Sequence, residues 1–106
     1  MNVGKTKAIE FIDMLEVLSQ RATEDILWTD SRGKKYNEKQ YLEHLVKEAR
    51  ELIKYNEWLV ALENAVDNLL EIDYKLDSNV LALASAAFKA STNESERLKL
   101  IDLLEK

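Results

Sequence analysis

The chain has no cysteine and no proline, and only two glycines and one histidine among 106 residues. Without cysteine there is no disulfide framework, no thiolate metal site and no thiol nucleophile, a usage that fits a reducing compartment. Without proline, and with glycine only at Gly4 and Gly33, the ends of any helices must be set by polar caps and by breaks in apolar periodicity. General acid–base or histidine-metal chemistry would have to be built around His44 alone. A pI near 4.9 leaves no basic face to neutralise phosphates, which argues against nucleic acid as a partner. The one basic cluster, Arg32, Lys34 and Lys35 around Gly33, reads as solvated turn charge.

Long apolar runs are also missing. No stretch approaches the ~18 apolar residues of a membrane span, so no membrane association is expected. The basic start, Met1 to Lys7, meets Glu10 and Asp13 before an apolar leader segment could form. The expected location is therefore cytoplasmic.

What is present is helical. The composition is 46% apolar and 33% charged, enough for one core and one domain spanning residues 1–106. The expected fold is all-α, a compact bundle of four to five helices. A first helix should begin near Thr6 and carry Ile9, Ile12, Leu15, Leu18 and Ala22 on one face, running on towards Ile26 and Trp28 until Thr29–Gly33 ends it. Asn37 and Gln40 form a capping-box signal for a second helix. Its stripe is Tyr41, Leu42, Leu45, Val46, Ala49, Leu52 and Ile53. The phase shifts at Asn56, a residue that tolerates the left-handed conformation closing a helix. A third helix follows from about Glu57 to Glu71, then an extended connector, Ile72 to Leu76. Asp77 or Ser78 caps a fourth helix, and Asn93 with Glu96 forms a second capping box for a last one.

Catalytic motifs are weak. Gly4-Lys5-Thr6 matches only the tail of a phosphate-binding loop and lacks the earlier glycine and preceding strand. His44 and Glu48 are spaced i,i+4, but two ligands make a poor metal site. No arginine precedes His44 at the spacing used by helical ribonucleases, and none of the serines has a nearby base. The third helix has no Glu-x-x-His partner of the di-iron kind. The chain therefore reads as a non-enzyme without a cofactor or metal. Trp58 is expected in the core at the helix corner, and Trp28 and Tyr36 are expected to be buried beside the Gly33 loop.

Charge is distributed unevenly. Glu57, Glu63, Asp67, Glu71, Asp73 and Asp77 face only Lys75 within their segment, a local charge of −5 that equals the formal charge of the whole chain. Glu63, Asp67 and Glu71 repeat at i,i+4, where like charges destabilise a helix. Such a row is worth its cost if it attracts a basic protein surface. Glu57, Glu63, Asp67, Glu71 and Asp73 are accordingly the candidate partner-binding residues.

The run from Lys47 to Asp73 resembles the core of small bacterial immunity proteins of the MafI kind, which belong to polymorphic toxin systems. The shared pattern is an Ala-x-x-Leu-Ile element at Ala49 to Ile53, the corner pair Glu57-Trp58, the run Ala61-Leu62-Glu63-Asn64, and Asn68-Leu69-Leu70-Glu71 before a connector. Where such sequences commonly have glycine before the Glu-Trp pair, this chain has Asn56. The resemblance implies a non-enzymatic, cytoplasmic protein that binds and neutralises a cognate toxin, a nuclease among the candidates. The alternative is a helical adaptor or regulatory interaction domain, including a homodimer, that uses the apolar fourth helix.

Overall fold

The computed structural model describes residues 2–91 and 95–106. Among them are five α-helices: α1 (Val3–Arg21), α2 (Glu38–Lys54), α3 (Trp58–Glu71), α4 (Ser78–Lys89) and α5 (Ser95–Ile101), the last continued by a 3₁₀ turn at Asp102–Leu104. Helix α1 is central and packs against α2, α3 and α4. The expected all-α bundle is what forms, with one addition. Residues assigned to the end of the first helix instead build a hairpin, β1 (Ile26–Thr29) and β2 (Lys35–Asn37).

The core is built from the expected stripes and some residues outside them. From α2 it takes Tyr41, Leu42, Leu45, Val46 and Ala49, and from α3 Ala61, Leu62, Ala65, Val66 and Leu69. On α1 the buried face is Gly4, Ala8, Phe11, Ile12, Leu15 and Ser19, rotated from the expected one, so that Ile9 and Leu18 are only half-buried. The reason is Gly4. It lies against the Trp58 ring and brings the first turn of α1 onto the α2–α3 corner. The helix also starts earlier than expected, because the Asn2 side chain accepts from the Lys5 amide at 3.0 Å as its N-cap.

At the second cap, Asn37 Oδ1 accepts from the Gln40 amide at 2.7 Å, as the capping signal at this position requires. The corner at Asn56 also forms: φ is +62° there, and the Glu57 and Asn56 amides donate to Leu52 O and Ile53 O at 2.8 and 2.9 Å. That is the paired closure of a Schellman motif. The same closure ends α3, with Asp73 at φ +52° and the Tyr74 and Asp73 amides on Leu69 O and Leu70 O. The connector then runs extended to Leu76, which bridges the chain end: Leu76 donates to Leu104 O, and Lys106 donates back to Leu76 O. Asp77 takes the N-cap position of α4, but its side chain makes no capping hydrogen bond. The capping box expected at Asn93 lies outside the described residues.

The hairpin corrects the long first helix. Ile26, Leu27, Trp28 and Thr29 are β-branched, apolar or aromatic, types that favour a pleated, half-buried surface. Asp30 then makes the turn: its Oδ1 accepts from the Arg32 and Lys34 amides at 2.9 and 2.8 Å, and Gly33 supplies φ +83°. A bulge between Ile26 and Trp28 sets the register so that Trp28 sits directly opposite Tyr36. At the base, the Glu38 carboxylate accepts from the Thr23 hydroxyl at 3.2 Å and the Tyr74 hydroxyl at 2.6 Å, tying the segment before β1, α2 and the connector together.

Candidate functional site

Two adjoining depressions occupy the face where the hairpin, α2 and α3 meet. The deeper, about 360 Å³, is walled by Trp28, Tyr36 and Tyr41 and rimmed by Asp30, Glu48 and Asn68. Its neighbour, about 430 Å³, lies between Glu51 and Leu52 of α2 and Val60 of α3. Glu48 and Asn64 line both.

The rings of the deeper recess support one another. Trp28 lies 5.6 Å from Tyr36 and 5.7 Å from Tyr41 between centroids, and Tyr36 meets Tyr41 edge-on at 6.2 Å. Separations of this size are those of attractive aromatic pairs. Trp28 and Tyr36 are half-buried, not enclosed, so each keeps an accessible part. The Tyr41 hydroxyl donates to Asn68 O at 3.3 Å. Burial pushes its phenol up to about 12, helped by the charges of Glu71 and Glu48. Those two carboxylates therefore act on the same ring from α3 and α2.

Glu48 is positioned from both sides. His44 Nε2 lies 3.1 Å from one carboxylate oxygen and the Asn64 amide nitrogen donates to the other at 3.2 Å. His44 and Glu48, whose i,i+4 spacing makes a poor metal site, thus meet as a contact on an exposed surface. Among the described residues no group of three or more histidine, aspartate and glutamate side chains converges as a metal site. Ser19 Oγ donates to Glu16 O at 2.6 Å.

The five acids singled out by charge divide into separate environments. Glu63 and Asp67 are held by Arg97 of α5. Its Nη1 is 2.9 Å from Glu63, and its Nε and Nη2 form a fork on the two Asp67 oxygens at 3.3 and 2.9 Å. Asp73 pairs with Lys75 at 2.8 Å, and beyond α3 Asp77 meets Lys106 at 3.6 Å. Glu57 and Glu71 are exposed, and among the described residues no lysine or arginine is within ion-pair distance of either. The row expected to stand unmatched is therefore neutralised in its middle by a cation 30 residues or more away in sequence. Carboxylates with no lysine or arginine partner among the described residues stand instead at Glu48 and Glu51, which line the depressions, and at Glu71, whose charge acts on Tyr41.

Sequence reasoning passed over Asp30, Tyr41 and Glu51 as site residues. The signal for the first was local: a strand-like Ile-Leu-Trp-Thr followed by Asp and, three residues later, Gly is a hairpin turn pattern. The position of Tyr41 in the α2 stripe points to the core alone. No family model, no curated protein and no solved structure matches the chain. No helix among the described residues is long and apolar enough to cross a membrane.

Proposed function

We propose that this chain is a bacterial immunity protein: a cytoplasmic, non-enzymatic domain that neutralises a cognate toxin by covering a basic surface of it. The observation that carries this reading is the face built by α2, α3 and the hairpin. There Glu48 and Glu51 stand beside the half-buried rings of Trp28 and Tyr36 and Val60, an apolar side chain 45% exposed, and the charge of Glu71 reaches the buried Tyr41. Acid at the edge, rings and aliphatic surface within: that composition suits association with a cationic protein. The likeness of residues 47–73 to MafI-type proteins supports the same reading, since that run is the α2–corner–α3 unit bearing the face.

The other interaction reading, an adaptor or homodimer joined through the fourth helix at Leu83 and Ala87, would have only the half-buried Leu83 of these two to use. Leu81, Ala84, Ala87 and Phe88 are buried, and α4 packs on α1. The test is binding of the purified chain to the secreted protein encoded in the neighbouring reading frame. A stable complex that abolishes the toxin's activity is expected. A neighbour that is no toxin, or a toxin that stays active and unbound, rejects the proposal.

A further inference from the structure

The deeper recess has a chemistry more specific than that of the face around it. Three aromatic residues, Trp28, Tyr36 and Tyr41, line a space of about 360 Å³ together with two acidic ones, Asp30 and Glu48. Neither carboxylate has a lysine or arginine partner among the described residues: Asp30 accepts from backbone amides, and Glu48 is oriented by His44 and Asn64. Tyr36 already carries a cation over its ring, with Lys34 Nζ 5.1 Å from the centroid. Ring faces attract cations, and a planar guanidinium can stack on a ring while its edge donates to a carboxylate; an ammonium offers only a point charge.

From this geometry we infer that the recess is a socket for one arginine side chain of a protein partner, stacked on the accessible ring surface of Trp28 and Tyr36 above the buried Tyr41 and paired with Glu48. The volume is ample for one guanidinium and its aliphatic stem. The identity of the partner rests on the proposed function; the chemistry of the socket does not. Buried arginine and aromatic contacts of this type carry much of the energy of protein interfaces, so the socket would supply an anchor, and Glu51 and Glu71 would steer.

The socket is testable without the partner by NMR titration of the full chain with N-acetyl-arginine amide. The Trp58 indole signal serves as internal reference, since Trp58 does not line the recess and lies six residues before Asn64, the nearest α3 residue that does, roughly 9 Å along the helix axis. The expected result is saturable shifts of the Trp28 indole and the Tyr36 and His44 rings. The neutral isostere N-acetyl-citrulline amide should bind at least fivefold more weakly, as should arginine to Glu48→Gln. Citrulline or a blocked lysine binding as well as arginine overturns the inference, and so does an absence of saturable shifts at these rings. A chain that binds arginine here but no toxin would refute the proposed function and leave the socket standing; the reverse outcome would do the opposite.

Discussion

Gly4 and Trp58 are in such close contact that a Cβ on residue 4 would lie 2.6 Å from Trp58 Cη2 and 3.1 Å from Ala90 Cβ. The glycine that resembles the tail of a phosphate-binding loop is thus a packing residue, which lets the first turn of α1 seat on the α2–α3 corner. Gly4→Ala should destabilise the fold by about 1–3 kcal/mol, as overpacking does. Urea unfolding of Gly4→Ala, Trp58→Leu and the double variant checks this. The double variant should lose less than the sum of the single losses, because the two residues share one contact.

The two left-handed corners carry a different cost. Asn56 and Asp73 hold positive φ without being glycine, and an L residue pays roughly 1 kcal/mol there, asparagine and aspartate somewhat less. Asn56→Gly forfeits the hydrogen bond from Lys5 Nζ, an exposed one at 3.1 Å. Asp73→Gly forfeits an exposed ion pair. Relief should exceed both losses. Each variant should therefore be more stable by about 0.5 kcal/mol, read as a melting temperature raised by a few degrees.

Arg97 joins α5 to α3. Its bidentate contact with Asp67 and its bond to the half-buried Glu63 form the kind of ion pair with geometry good enough to matter. Arg97→Gln should cost about 1 kcal/mol and should raise amide exchange first in α5, with α1 and α2 little changed. Uniform exchange across all helices would show that the contact is not local to that junction.

The pH response follows from two phenols. Burial, and then the hydrogen bond to Glu38 and the charge of Glu38, push the Tyr74 phenol up; Tyr41 is raised to about 12. Both fold with raised values, so their contribution is complete below the ordinary tyrosine value of 10.0 and is lost as pH rises through the folded values. Between these limits the unfolded chain has released protons that the folded chain keeps, and stability falls. Urea midpoints should hold steady near neutrality and decline above pH 10. Tyr74→Phe should lose about 1–2 kcal/mol at pH 7 and show a shallower alkaline decline than the parent.

Much of the bundle was legible because periodicity reports a face directly: the α2 stripe from Tyr41 to Ala49 and the corner at Asn56 both follow from local residue types. The hairpin was not, because Ala22 and Ile26 satisfy a helical spacing, while a four-residue strand carries little periodic signal of its own. The acidic site was legible only in part. Counting charges within residues 57–77 locates the acids, but Arg97 reaches Glu63 and Asp67 through tertiary structure, which no local count contains. The recess draws on β1, β2, α2 and α3, and its aromatic character becomes visible only once the hairpin brings Trp28 beside Tyr41.

The most direct measurement of the proposed role is the affinity of the chain for the neighbouring-frame toxin, taken at low and high salt for the parent and for the double variant Glu51→Lys, Glu71→Lys. These side chains are exposed and take no part in the Arg97 contact, so the fold should be retained. Affinity should drop on the order of tenfold or more at low salt, with the difference shrinking as salt screens the face. A folded double variant that binds as tightly as the parent at low salt would contradict docking through this surface.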